Sequence, residues 1–252
     1  MSFNLGHDRP LDVAPGVVGV SEAELPPLPD DAFGSPEARE RARVDPRAWF
    51  ARPELPFEIE VGCGKGSFAL EQSRAYPDVN LLAIEWAGEF YAYTADRIRR
   101  SGRANVRVLH ADAVEFLRWR VPSSIAGVVH LYFSDPWPKT RHHKRRVVQD
   151  RFLGEAWRVL VPGGELRIVT DHDEYWAWME TYFARWTDAT SGAGGGTGNS
   201  EALVGRAGAP FERRAFTPAA WVTEGSLVGT NYERKMCGEE KRPHSITLVK
   251  RA

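Results

Sequence analysis

The sequence predicts an α/β fold in which a mostly parallel sheet carries helices on both faces. Three observations lead there. Short apolar segments alternate with longer amphipathic ones through the middle of the chain. Glycines and acids cluster just after several apolar segments, at the strand ends where ligands of such sheets collect. Two further segments near the C-terminus, Gly229–Lys235 and Ser245–Val249, read as an antiparallel hairpin closing the sheet.

In order, the expected strands are Phe57–Val61, Leu81–Glu85, Val106–Leu109, Gly127–Phe133 and Glu165–Val169, the fifth introduced by the turn Pro162-Gly163-Gly164. The fourth holds too many large apolar residues in succession for an exposed strand. Helices fit between them over Ser67–Tyr76, Glu89–Arg100, Ala113–Trp119, Arg145–Leu160 and Glu174–Trp186. With the hairpin, the sheet has seven strands.

Residues 1–45 contain Pro10, Pro15, Pro26, Pro27, Pro29 and Pro36 with little periodicity, which predicts an extended or disordered arm. Residues 46–252 then form a single domain, interrupted by a flexible glycine-rich loop near 189–198.

A chain of 252 residues with 42% hydrophobic residues suffices for one large α/β domain. No run of 18 apolar residues is present, so no membrane span is expected. Met1–Arg9 lacks a charged-then-apolar leader pattern, which predicts a cytoplasmic protein. Two cysteines, Cys63 and Cys237, suggest neither a disulfide framework nor a metal site. The net charge of −1 hides an asymmetry: acids are frequent early, whereas Lys139–Arg146 holds five Lys or Arg and no acid.

The first strand runs into Glu60-Val61-Gly62-Cys63-Gly64-Lys65-Gly66, where alternate glycines allow a tight turn and close approach of a ligand. Dinucleotide sites usually show G-x-G-x-x-G. The E-x-G-x-G-x-G spacing here instead resembles the first motif of Rossmann-like methyltransferases, and disfavours a nicotinamide oxidoreductase. Glu85 ends the second strand, where it either accepts hydrogen bonds from a ribose or simply begins a helix. Asp112 follows the third strand, as a helix cap or an acceptor for an adenine amino group. After the fourth strand comes Ser134-Asp135-Pro136-Trp137-Pro138-Lys139, whose prolines stiffen the turn, and then the basic run Thr140–Arg146. Trp137 is either structural or a platform for a base. Asp171 follows the fifth strand.

These residues resemble one family, the bacterial tRNA (guanine-N7)-methyltransferases. The resemblance rests on Glu60–Gly66, Ile84-Glu85, Asp112-Ala113, Phe133–Lys139 with its basic run, Thr170-Asp171 and Thr230-Asn231-Tyr232-Glu233, in family order over about residues 55–250. The Asp-Pro-Trp-x-Lys element followed by basic residues is its specific part. Ser134 departs from the pattern, which usually has proline there.

The resemblance implies a Rossmann-like enzyme that moves a methyl group from S-adenosylmethionine to N7 of a guanosine in the tRNA variable loop. It implies cofactor contacts at Glu60, Gly62, Gly64, Glu85, Asp112 and Asp135, with Asp135 also catalytic. It implies substrate contacts at Lys139, Asp171, Thr230, Asn231, Tyr232 and Glu233. Arg141, Lys144, Arg145 and Arg146 are then expected on RNA phosphates, and Glu233 and Asp171 on the guanine edge. N7 carries a lone pair and no proton, so its methylation needs no general base, only alignment and matching of charge. The competing expectations are a related methyltransferase on another RNA, a protein or a small molecule, and an RNA-binding module without activity. The oligomeric expectation is a monomer or homodimer.

Overall fold

In the computed structural model, the described residues are 9–30, 36–188, 208–230, 232, 233, 235 and 242–251. They build β1 (Gly19–Ser21), α1 (Pro36–Arg41), β2 (Phe57–Val61), α2 (Ser67–Ala75), β3 (Asn80–Glu85), α3 (Gly88–Ser101), β4 (Val106–His110), α4 (Ala113–Arg120), β5 (Ala126–Tyr132), α5 (Asp150–Val159), β6 (Leu160–Thr170), α6 (Asp173–Thr187), β7 (Phe211–Arg214) and β8 (His244–Lys250).

The strands form one sheet in the order β1-β4-β3-β2-β5-β6-β8-β7. Pairing is parallel from β1 to β6, and antiparallel where β8 joins β6 and β7. This is the expected Rossmann-like α/β architecture. β3 is buried along its whole length, as a central parallel strand covered on both faces must be. Its alternation divides the core. Leu82 and Ile84 join a large cluster with Phe116, Phe152, Phe183 and Trp186. Leu81 and Ala83 pack on the other face with Ala69, Ala95 and Ile98.

The sheet has eight strands among the described residues, where seven were expected. The extra strand comes from the expected arm. Gly19–Ser21 pairs with Val108–His110 and takes its order from the exposed edge of β4. Asp12 N donates to the buried carboxylate of Asp96 at 3.3 Å, and Arg99 and Arg100 hold the same carboxylate at 3.0 Å each.

The C-terminal hairpin is also placed differently. β8 pairs with Phe211–Arg214, and among the described residues of 229–235 there is no strand. Phe211 is fully buried and lies 6.0 Å from the Trp186 ring, an anchor that the short Phe-Glu-Arg-Arg segment does not advertise. The helix expected from Arg145 begins only at Asp150. Residues Thr140–Arg145 form a 3-10 turn, and the Gln149 side chain donates to the carbonyls of Lys144 (3.2 Å) and Arg146 (2.6 Å), which closes that turn before the helix begins. The glycine-rich stretch near 189–198 and Cys237 lie outside the described residues. Among the described residues no helix is long and apolar enough to cross a membrane.

The chain order along the sheet reverses between β2 and β5. Ligands of open α/β sheets bind beyond the carboxyl ends of the strands at such a reversal. The segments after β2, β3, β4 and β5 therefore share one rim.

Candidate functional site

At the end of β2, Glu60 is 4% exposed, and its Oε2 has no hydrogen-bond partner. Burial, and then the nearby charge of Glu85, push its carboxyl up to about 8. A buried carboxyl without a partner holds its proton until a cation arrives to pair with it. Gly62, Gly64 and Gly66 follow with φ of 76°, 52° and 65°, a region that favours glycine. A Cβ on Gly66 would collide with Thr94 Cγ2, whereas Gly62 and Gly64 border open space. Thr94 Oγ1 donates to Gly64 O at 2.7 Å and fixes the turn to α3. The result is a shaped cradle with an orphaned acid beneath it.

Glu85 lies on the next strand. Its Oε2 accepts from Gly64 N at 2.8 Å and its Oε1 from Ala87 N at 2.9 Å. Each oxygen keeps a lone pair for a hydroxyl group. Trp86, which sequence reasoning passed over, is 74% exposed beside it. Its carbonyl accepts from His110 Nε2 at 3.0 Å, and His110 stacks on Tyr91 with centroids 5.0 Å apart. A tryptophan directly after a strand-end acid was the available signal. Asp112 caps α4, with Oδ1 accepting from Val114 N (2.9 Å) and Glu115 N (3.1 Å). The cap expectation holds, and the second oxygen has no partner among the described residues.

Past β5 the backbone is strained. Phe133 (φ 52°) and Trp137 (φ 43°) both occupy the left-handed region without being glycine. Between them Asp135 is exposed and makes no hydrogen bond or ion pair among the described residues. Ser134 Oγ donates to Tyr175 Oη at 3.4 Å, so the serine that replaces the expected proline fastens the turn to α6. Trp137 already carries neighbours: the Arg145 guanidinium 4.9 Å from its ring and the His142 ring edge-on at 5.6 Å.

The basic run divides. Lys139, Arg141, Lys144 and Arg145 are exposed. Arg146 is not: it is 2% exposed, and it donates to Pro136 O and Glu174 Oε1, each at 2.8 Å. Arg146, expected on an RNA phosphate, thus directs Nε and Nη2 inward to Pro136 and Glu174.

Asp171 follows β6, half-buried and without a partner among the described residues. The Thr230–Glu233 segment reaches the same rim. The rings of Tyr232 and Phe133 lie 5.0 Å apart, and Val228 packs with Phe68 and Val169. Thr230 Oγ1 accepts from Glu233 N at 3.2 Å. The Glu233 carboxylate, 4% exposed, accepts from Leu227 N (2.6 Å), Val228 N (3.0 Å) and Gly229 N (2.7 Å). Glu233, expected on a guanine edge, thus has its carboxylate held by the backbone amides of its own loop. Asn231 lies outside the described residues.

A buried polar chain that sequence reasoning did not find supports this loop. Trp221 Nε1 donates to Gln72 Oε1 (2.7 Å), and Gln72 Nε2 donates to Glu58 Oε2 (2.9 Å). His130 then joins Glu58 (3.0 Å) to the Tyr132 hydroxyl (2.8 Å). No cluster of metal-ligating side chains occurs among the described residues.

A family described as "Putative methyltransferase" matches residues 54–192. The tRNA (guanine-N(7)-)-methyltransferase of Nocardia farcinica is 41% identical over 132 residues, covering 52% of this chain and 49% of the relative. The enzyme of the same name from Mycobacterium ulcerans is 38% identical over 150 residues, covering 57% and 53%. The chain spans about half the length of the curated relatives it matches. The solved aminoglycoside resistance methyltransferase NpmB1 aligns over 85% of this chain and 91% of its own, with 16% identity and a TM-score of 0.47.

Proposed function

The chain belongs to the methyltransferase family whose model matches residues 54–192, and from that premise we propose that it methylates N7 of a guanosine in tRNA, in the variable loop, using S-adenosylmethionine. The observation that carries the reading is the orphaned Glu60 oxygen beneath the open glycine cradle, at the head of a row of acids that continues through Glu85, Asp112 and Asp135. Two similar proteins carry the name of this activity.

The residues present fit the cofactor. S-adenosylmethionine, when bound, supplies an electrophilic methyl group on a sulfonium. Glu60 pairs with its ammonium group and gains the partner its Oε2 lacks. Glu85 offers its remaining lone pairs to the ribose hydroxyls. The second oxygen of Asp112 accepts from the adenine amino group, while the first keeps α4 capped. The open faces of Gly62 and Gly64 let the backbone lie close against the ligand.

On the acceptor side, guanine N7 has a lone pair and no proton, so no side chain needs to act as a base. Asp135, exposed and unpaired, orients the acceptor and faces the positive charge as it passes to the purine. Asp171 accepts from the guanine N1 and amino edge in this reading, which its half-buried carboxylate, unpartnered among the described residues, supports. Thr230 and Tyr232 flank the acceptor, and Glu233 holds their loop in shape. Lys139, Arg141, Lys144 and Arg145 take RNA phosphates beside the turn.

The test is incubation of the chain with methyl-labelled S-adenosylmethionine and unmodified tRNA, followed by nucleoside analysis. Label in N7-methylguanosine supports the reading. Label in another nucleoside, or none, ends it.

A further inference from the structure

Within an otherwise exposed basic run, Arg146 has its side chain 1% exposed. A buried cation is costly unless its charge and donors are satisfied. Here Nε donates to Pro136 O and Nη2 to Glu174 Oε1, both at 2.8 Å. The guanidinium lies 5.3 Å from the Tyr175 ring and 5.0 Å from the Trp178 ring. The same two aromatic residues grip the chain on either side: Tyr175 Oη accepts from Ser134 Oγ at 3.4 Å and Val148 N at 3.3 Å, and Trp178 Nε1 donates to Val148 O at 3.1 Å. His143 Nε2 also approaches Glu174, at 3.5 Å.

We propose that Arg146 is a positioning residue that braces the Asp135 turn against the start of α6, so that Asp135 and Asp171 face one acceptor. The inference rests on the methyltransferase reading above. The turn needs such a brace because Phe133 and Trp137 hold left-handed φ values, which persist only where the surroundings over-determine them. Pro136, whose carbonyl Arg146 holds, is the residue after Asp135; Glu174 belongs to the first turn of α6, just beyond Asp171. A planar fork that donates in two directions while lying close to two aromatic rings is a task for arginine, and lysine cannot reproduce it.

Arg146→Met keeps the apolar bulk and removes both donors. A misplaced turn lowers kcat by about 100-fold, while KM for tRNA and cofactor affinity stay within about threefold. The salt dependence of tRNA binding keeps its slope, since Arg146 holds no phosphate. Arg146→Lys falls with Arg146→Met, and methylguanidine restores turnover to Arg146→Ala. Independently of activity, trypsin cuts faster within residues 139–145 of Arg146→Met than of the parent protein.

Parent-like kcat and trypsin resistance in folded Arg146→Met overturn the proposal. So does a shallower salt slope, which makes Arg146 a phosphate ligand. Should the Arg146 variants fail to fold, Glu174→Gln decides, because Glu174 is more than half exposed: lowered kcat with an unchanged melting temperature supports the brace, and parent-like kcat removes it. If the parent protein forms no N7-methylguanosine, the functional reading fails, and the trypsin comparison still settles the brace.

Discussion

The rings of Phe133 and Tyr232 meet at 5.0 Å and join the turn that carries Asp135 to the Thr230–Glu233 turn. The partnership lasts only while both turns hold their shape. Phe133 is held by a backbone bond from its amide to Val169 O at 2.8 Å. Tyr232 is held through its neighbour Glu233, which gathers three consecutive amides.

Glu233→Ala strands those three amides. Leaving buried donors unpaired costs about 1–3 kcal/mol, so the urea midpoint falls and turnover falls with it. Glu233→Gln keeps an acceptor oxygen and lies between. Equilibrium unfolding together with methyl transfer checks this; an unchanged midpoint would show that the carboxylate does not anchor the loop.

Glu60→Gln keeps the shape beneath the cradle and removes the carboxyl that would ionise to pair with a cationic ligand. Cofactor binding, read by calorimetry, weakens by about 2 kcal/mol or more, as expected when one partner of a buried charge pair is removed. Unaltered affinity would take Glu60 out of the cofactor site.

The same residue sets a pH dependence. Its carboxyl ionises at about 8 in the folded chain against an ordinary 4.5, so the folded state binds the proton more tightly. The stability it lends is complete below 4.5 and is lost as pH rises to about 8. Thermal melts of the cofactor-free protein fall across that window, and Glu60→Gln flattens the fall. Equal slopes in the two proteins would refute the assignment.

Asp135→Ala lowers turnover by about 100-fold or more, the range for loss of a group facing transition-state charge. Because Asp135 is exposed and bonded to no described residue, the melting temperature and tRNA affinity stay near those of the parent protein. Near-normal turnover would remove it from the site.

Replacing Lys139, Arg141, Lys144 and Arg145 together with glutamine weakens tRNA binding and lessens its salt slope by about one for each phosphate no longer neutralised. A slope equal to the parent's would return the run to an ordinary solvated surface.

Much of this was legible without coordinates. The apolar segments at β2 to β6 and the amphipathic stretches between them imposed a parallel α/β sheet, because only that layering buries both faces of such strands. The positions of Glu60, Glu85, Asp112 and Asp135 followed, since parallel strands deliver what comes next to the same rim. Tertiary structure alone decided the rest. Gly19–Ser21 is a strand because the edge of β4 offers unpaired backbone groups, which no local pattern in the arm reveals. Phe211–Arg214 is the partner of β8 because Phe211 has a buried site beside Trp186. Arg146 and Glu233 looked like their exposed neighbours in the sequence. Their roles depend on which donors and acceptors surround a buried charge: Arg146 meets Glu174 of α6, 28 residues on, and Glu233 meets the amides that its own loop folds back onto it.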